Sequence, residues 1–321
     1  MRYLFPVGAA ERSGVRRMER DYPDPSVLGG EVGLWTSILN HLPAARMREA
    51  AALAEELGYG ALWFGEAMGR EVFASAAILL SATGRIKVAT GIANIFVRDA
   101  WATNAAAKTL AEAYPGRFVL GLGVSHRPLV EVRGHDYRSP LSRMRSYLGE
   151  MRRAQFNAVK PEREAPVLIA ALGPRMLELA RELADGAHPY LVTPEHTGWA
   201  RGILGRGPLL AVEQGAVLAG DRSEALRLAR SHLSRYLRLP NYRNSWLRQG
   251  FTEEDLAGEG SDRLVEALVA WGSEEDVRAR VREHLEAGAD HVCVQVITDR
   301  PERGLDEEWR ALAPALLERG G

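Results

Sequence analysis

Phe118-Val119-Leu120-Gly121-Leu122-Gly123 is the stretch on which the choice of fold turns. An apolar run closing on Gly-Leu-Gly opens like a dinucleotide-binding turn. Such a turn needs three glycines at Gly-x-Gly-x-x-Gly spacing, so that the backbone can approach a pyrophosphate. The third glycine is missing, and His126 stands in its place. In an open doubly wound sheet the fingerprint follows the first strand, where this chain has Thr36-Ser37-Ile38-Leu39-Asn40 instead. The Gly-Leu-Gly run is therefore a strand end, not a nucleotide loop, and an open sheet ranks second to a closed parallel barrel.

On both sides of this strand, β-rich runs alternate with helical patterns from residue 31 onward, the signature of repeated parallel βα units. Runs 32–38, 61–64, 86–92, 118–122, 167–171, 187–191, 209–218 and 291–297 read as eight strands. Helical patterns cover 43–57, 72–81, 100–114, 140–156, 174–183, 223–237 and 306–317. Pro43 and Pro174 open helices and Gly58 closes one, the usual places for those residues. Thr193-Pro194 reads as an N-cap followed by proline at the first helical position. The count predicts one α/β domain over residues 31–321, a (β/α)8 TIM barrel. Residues 240–288 form a long excursion between strands seven and eight. Thr252 with Asp255 and Ser273 with Asp276 match the capping-box pattern, so helices are expected to fill it. Residues 1–30, rich in Gly, Pro and charge and without a period, read as an N-terminal extension packed outside the core.

The 321 residues suit one such barrel, and 46% of them are apolar, enough for a large core. A formal net charge of −1 gives no long-range field to gather nucleic acid or anionic lipid, so neither is expected as a partner. The single cysteine, Cys293, sits in an apolar run and reads as a buried hydrophobe. The eight histidines are scattered, with no paired helical spacing, and no metal site is expected. No apolar stretch approaches the roughly 18 to 20 residues that span a bilayer. No apolar leader core follows Arg16-Arg17. A cytoplasmic protein is the expectation.

In a parallel barrel, functional groups come from the C-terminal strand ends and the loops after them. In order these ends bring Thr36, Ser37 and Asn40; Gly65-Glu66-Ala67-Met68; Gly91-Ile92-Ala93-Asn94; and Gly123-Val124-Ser125-His126-Arg127. Then come Leu172-Gly173-Pro174-Arg175; His188, Tyr190 and His196; and Glu213 with Gln214. This rim is rich in small residues and backbone amides, and Glu66, His126 and His188 are its notable titratable groups. It suits a flat ring laid against backbone, with an anionic tail at a helix start. Gly173-Pro174 offers free N–H groups and a helix dipole for such a tail, and Arg175 adds charge. The same residues also read as a plain turn with proline in its preferred place. A hydrolase built on Ser125 and His126 is disfavoured, because adjacent side chains rarely converge and no Gly-x-Ser-x-Gly elbow surrounds Ser125.

Ala113-Tyr114-Pro115-Gly116-Arg117 leading into the strand at 118 resembles the matching turn and strand of the luciferase-like monooxygenase superfamily. Ala61-Leu62-Trp63-Phe64-Gly65-Glu66 is similar to the family's second strand, and Ala89-Thr90-Gly91-Ile92-Ala93-Asn94 to its third. Ala170-Ala171-Leu172-Gly173-Pro174 with Ala184-Asp185-Gly186-Ala187 resembles the fifth and sixth strand regions, and Gly288-Ala289-Asp290-His291-Val292 the last strand. The likeness covers roughly residues 31–300 and is closest to the coenzyme F420-dependent oxidoreductase branch.

The resemblance implies a barrel with an insertion, a deazaflavin at its C-terminal mouth and hydride transfer at the deazaflavin's C5. It also implies a non-proline cis peptide, which falls at Gly91-Ile92. Gly91, Ile92 and Asn94 would then line the cofactor at the bulge, Val124 and Leu129 its ring or tail. Leu172, Gly173, Pro174 and Met176 match the phosphate-binding turn, and Glu66 an acidic residue near the ring. Family barrels are often homodimers, so a homodimer is implied. Sugar-phosphate dehydrogenases of the family carry histidine where Ala67 stands and glutamate where His126 stands, so that reaction is not carried over.

The resulting expectation is an oxidoreductase moving a hydride between coenzyme F420 and a small organic substrate. His126 is the candidate proton donor, because an imidazole titrates near neutrality, and Glu66 the second catalytic candidate. An FMN-dependent monooxygenase using oxygen is the alternative, and a non-catalytic flavin or deazaflavin carrier the third reading. Tyr242, Trp246 and Phe251 in the excursion either cap the mouth or form local core.

Overall fold

Hydrogen-bonded register closes the sheet on itself in this computed structural model, which describes residues 21–317. The strands are β1 (Val32–Thr36), β2 (Ala61–Phe64), β3 (Lys87–Thr90), β4 (Ala93–Asn94), β5 (Phe118–Gly123), β6 (Val167–Ile169), β7 (Gly186–Ala187), β8 (Leu209–Leu218), β9 (Val269–Gly272) and β10 (His291–Val296). All pairings are parallel, in the order β10-β1-β2-β3-β5-β6-β7-β8. Pairing of β8 with β10, from Ala211↔His291 to Ala216↔Val296, completes an eight-strand barrel. The helices are α1 (Ala44–Leu57), α2 (Val72–Ser81), α3 (Ala100–Ala113), α4 (Arg127–Glu131), α5 (Pro140–Arg153), α6 (Pro174–Leu183), α7 (Pro194–Leu204), α8 (Arg222–Leu233), α9 (Pro240–Arg248), α10 (Asp262–Leu268), α11 (Glu274–Glu286) and α12 (Asp306–Leu317).

The interior is filled by side chains from successive strands at matched height. Trp35 is level with Trp63, Trp63 with Ala89, and Ala89 with Val119. Leu28, Leu168, Leu209, Ala211 and Cys293 complete this inner cluster. Of the turn at residues 25–28, Leu28 is fully buried and packs into this inner cluster, and Pro25 and Ser26 are exposed. Residues 1–20 of the expected extension lie outside the described residues. Truncating Leu28 to alanine should cost about 2 to 5 kcal/mol, the usual range for a filled core position.

The Tyr-Pro-Gly-Arg turn has a structural reason. Gly116 takes the left-handed conformation (φ 68°), and Arg117 then donates to the carbonyls of Thr83 (2.8 Å) and Ile86 (3.3 Å). The guanidinium thus satisfies carbonyls of the link between α2 and β3.

Four elements differ from the sequence reading. Strand one stops at Thr36, and Ile38–Asn40 form a short 3-10 turn. Strand three divides into β3 and β4 around a cis peptide at Gly91-Ile92, the bond that the family resemblance implied. Strand six is only Gly186–Ala187. Beyond it Pro189 has no N–H to donate to a ladder, and Leu191 turns left-handed (φ 54°) with its N–H given to Glu213 Oε2 at 3.0 Å. The excursion holds helices as expected, but also β9, which pairs with β8 from Gly215↔Val269 to Leu218↔Gly272.

Only one of the two capping-box patterns starts a helix. Ser273 and Asp276 form the box at the head of α11. Thr252 and Asp255 make the same reciprocal bonds, 2.9 and 3.3 Å, around an isolated turn. Gly258 and Gly260 follow with positive φ and stop the turn from continuing. Trp246 is fully buried with Tyr242 and Phe251 in an apolar cluster that the excursion shares with α8 and the end of β8. Its indole N–H donates to the Leu191 carbonyl (3.1 Å), tying that cluster to the barrel rim.

Candidate active site

The bulge after β3 is set by what surrounds Ile92. Its side chain lies over β5, where a Cβ on Gly123 would come within 2.4 Å of Ile92 Cγ1. Only glycine leaves that notch open. Gly91 and Ile92 are both half-buried at the C-terminal ends of the strands. Gly91 is equally constrained, since a Cβ there would stand 2.5 Å from Trp35 Nε1 and 3.0 Å from His188 Nε2.

Those two nitrogens are buried and have no hydrogen-bond partner among the described residues. His188 Nδ1 lies 2.9 Å from the Ala211 carbonyl, which can only accept, so Nδ1 carries the proton and Nε2 a bare lone pair. The ring stacks on Trp63 at 4.5 Å, and burial pulls its pKa down to about 4, so it stays neutral at pH 7. Beneath Gly91 the fold thus buries one donor, Trp35 N–H, and one acceptor, His188 Nε2.

Glu66 sits beside the bulge with every oxygen engaged. Its Oε2 accepts from Asn94 N–H (2.8 Å) and Arg98 Nη1 (2.9 Å), and its Oε1 accepts from Arg98 Nη2. Its own N–H donates to the Ile92 carbonyl (3.1 Å). Asn94 is buried, with its side-chain oxygen turned back to Phe96 N–H (3.0 Å). Glu66, Asn94 and Arg98 thus form a brace for the bulge. Among the described residues no hydrogen bond joins Glu66 to His126.

His126 caps α4 with Ser125 left-handed before it (φ 55°). Its ring lies 5.7 Å from that of Tyr242 and edge-on to that of Tyr236 at 6.3 Å. Nδ1 is buried without a partner. Burial lowers the pKa to about 4, which revises the expectation of an imidazole poised near neutrality. At pH 7 the ring is neutral, suited to accept a proton or to hydrogen-bond rather than to act as a charged acid. Val124 before His126 and Leu129 in α4 are half-buried, with Leu129 N–H donating to the His126 carbonyl (3.0 Å).

The turn at Leu172, Gly173 and Pro174 starts α6 without a side-chain cap, and Met176 is half-buried in its first turn. Sequence reasoning missed Arg248, which arrives from the C-terminal end of α9, the first helix of the excursion. Its Nη2 donates to the Leu172 carbonyl (3.1 Å) and lies 3.4 Å from where a Gly173 Cβ would be. Arg248 and the exposed Arg175 bring two cations to an uncapped helix start. Trp35 and Tyr236 were also missed, since neither strand pattern nor helix pattern marks an aromatic as facing a mouth. A cleft at the opposite end, lined by Ser26, Gly29, Tyr59, Gly60 and Lys87, lies at the strand starts and takes no part in this arrangement.

Glycines at the bulge, unpaired nitrogens on the floor and cations at a helix start fit a flat heteroaromatic ring with an anionic tail. The class so defined is a closed parallel barrel with these groups gathered at the C-terminal ends of its strands. The chain belongs to the luciferase-like monooxygenase family, whose model matches residues 26–291. It is 29% identical over 161 residues to a 5,10-methylenetetrahydromethanopterin reductase of Methanolobus tindarius, covering 45% of this chain and 49% of that protein. A second reductase of the same description, from Archaeoglobus fulgidus, is 28% identical over 285 residues, covering 75% of this chain and 86% of that protein. The fold is similar to that of an F420-dependent secondary alcohol dehydrogenase solved with an F420-acetone adduct. The TM-score there is 0.71 at 16% identity, over 90% of this chain and 99% of that one. Among the described residues no helix is long and apolar enough to cross a membrane.

Proposed function

We propose that this protein moves a hydride between coenzyme F420 and a small organic substrate at the mouth of its barrel. The observation that carries this reading is the half-buried Gly91-Ile92 bulge, with room for the Ile92 side chain left by Gly123, a brace from Glu66, and two buried nitrogens at its foot that have no partner among the described residues. Gly91, Ile92, Val124 and Leu129 would hold the ring, and Leu172, Gly173, Pro174, Met176 and Arg248 the phosphate of the tail. When bound, the deazaflavin supplies a carbon centre that gives or accepts a hydride. His126, neutral in its aromatic surroundings, is the group that exchanges a proton with the substrate, and Glu66 keeps the bulge in shape.

Titration with F420 and with FMN tests the reading. F420 should bind and be consumed or formed with a suitable substrate, and His126→Ala should lower turnover about a hundredfold with cofactor affinity retained. Tight FMN binding with oxygen-dependent turnover would favour the family's monooxygenase chemistry instead. We also infer a homodimer, supported by the large exposed apolar side chains Met68, Trp101 and Val132. Light scattering on the wild type and on Trp101→Glu would test it, the variant being expected to run as a monomer.

A further inference from the structure

The cleft at the strand starts has a volume of about 480 Å³, within the usual range of small-molecule sites. It lies at the opposite end of the barrel from the candidate active site and shares no residue with it. Part of its wall is bare backbone, where the chain entering β1 crosses the chain entering β2. A Cβ on Gly29 would stand 2.2 Å from the Gly60 carbonyl oxygen, and one on Gly60 would stand 2.2 Å from the Gly29 oxygen, so both positions require glycine. The stem of Lys87 runs along the same wall, its Cγ 3.0 Å from where a Gly29 Cβ would be.

Charge on this wall is unbalanced. Arg85 is exposed and Lys87 half-buried, and among the described residues neither forms an ion pair and the Arg85 guanidinium makes no hydrogen bond. Lys87 Nζ donates to the Gly116 carbonyl (2.8 Å), which leaves two of its three protons free. Burial, and after it the charge of nearby Arg117, lowers the Lys87 pKa, so an anion brought here would favour the charged ammonium. Glu55, the one carboxylate on the wall among the described residues, is engaged by backbone. It accepts from the N–H groups of Gly84 (2.9 Å), Ile86 (2.8 Å) and Arg85. Ser26 is exposed at the edge of the cleft, and its hydroxyl can donate.

We propose that this cleft is a second ligand site, which binds a small free anion bearing a phosphate group between Arg85 and Lys87. A phosphate brings up to two charges and three acceptor oxygens, a match for two cations and the Ser26 hydroxyl, whereas a monocarboxylate brings one charge and two oxygens. Gly29 lies just before β1, Gly60 directly before β2, and Lys87 opens β3. An anion held there joins the starts of three strands and stabilises the folded chain.

Calorimetric titration of the full chain with inorganic pyrophosphate at low salt reads this directly. Pyrophosphate should bind, raise the melting temperature by a few degrees at saturation, and bind at least about tenfold more tightly than acetate. Arg85→Ala removes a side chain with no bond to lose and should fold as wild type does, with pyrophosphate affinity lowered about tenfold. Lys87→Met keeps the stem and should weaken binding by a similar factor. The binding lost in Arg85→Ala should survive in Arg248→Ala. Absence of binding, acetate binding as tight as that of pyrophosphate, or binding that persists in both Arg85→Ala and Lys87→Met would overturn the proposal. So would binding that is lost in Arg248→Ala and intact in Arg85→Ala, which would place the anion at the start of α6. No arm of the experiment uses deazaflavin, so the proposed function can fail while this site stands.

Discussion

Ile92 lies in a notch that exists because Gly123 has no side chain: a Cβ there would be 2.4 Å from Ile92 Cγ1 and 2.5 Å from Cδ1. The contact couples the end of β5 to the bulge after β3. Gly123→Ala must push Ile92 out of place, an overpacking that costs about 1 to 3 kcal/mol. The displaced side chain would move toward the surface on which the ring rests. The variant should fold with a melting point lowered by a few degrees, and its deazaflavin affinity should fall by at least about tenfold. Thermal melts and fluorescence titration on the same preparation check both parts.

Glu213 is fully buried, with Oε2 taking the Leu191 N–H and Oε1 unpartnered. Burial pushes its pKa from 4.5 up to about 8. The folded state therefore holds a proton that the unfolded chain releases above pH 4.5. Stability is greatest below that value and is lost as pH rises toward 8, by on the order of 5 kcal/mol at most. Glu213→Gln still accepts from Leu191 and cannot ionise. Urea unfolding between pH 7 and 8.5, above the range in which the buried histidines titrate, should show a falling midpoint for wild type and a flatter one for the variant.

Much of the barrel was legible because strand and helix signals are local. Apolar runs, Pro174 at a helix start and Gly58 at a helix end depend only on neighbours in sequence. β9 was not legible, because Val269–Gly272 became a strand through pairing with a part of β8 that extends past β7. The bulge at Gly91-Ile92 came from family resemblance alone. His126 was legible as a residue at the mouth but not as a neutral one, since its surroundings come from Tyr236 and Tyr242, more than a hundred residues away.

The histidines act on the acid side. Burial lowers His188, His196 and His291 to about 4, and His232 and His284 to about 3. In the unfolded chain each would protonate near pH 6.5. Their contribution is complete above that pH and is lost as pH falls through 6.5 toward 4. Several such groups act together, so the denaturant midpoint should drop steeply below pH 6.5. His284→Asn should soften the slope. His284 Nε2 pairs with Gln214 Oε1 at 2.7 Å and Nδ1 with the Thr197 hydroxyl at 2.8 Å, so the variant's midpoint at pH 8 should be lower than that of wild type. An unchanged acid slope would mean that the ring is already protonated in the folded protein.

Arg248 gives the most direct test of where an anionic tail would rest. It reaches the start of α6 from the excursion, so it links the insertion to the barrel's helix N-terminus. Burial lowers its pKa from 12.5 but leaves the guanidinium charged at pH 7. A phosphate at Gly173 would gain charge-assisted bonds from it, which are about twice as strong as neutral ones. Arg248→Ala should weaken F420 binding roughly ten- to a hundredfold, and more at low salt than at high salt. A deazaflavin analogue cut short before the phosphate should bind wild type and variant alike. Equal loss for both ligands would assign Arg248 to holding the Leu172 carbonyl, and the phosphate would have to be sought elsewhere on the rim.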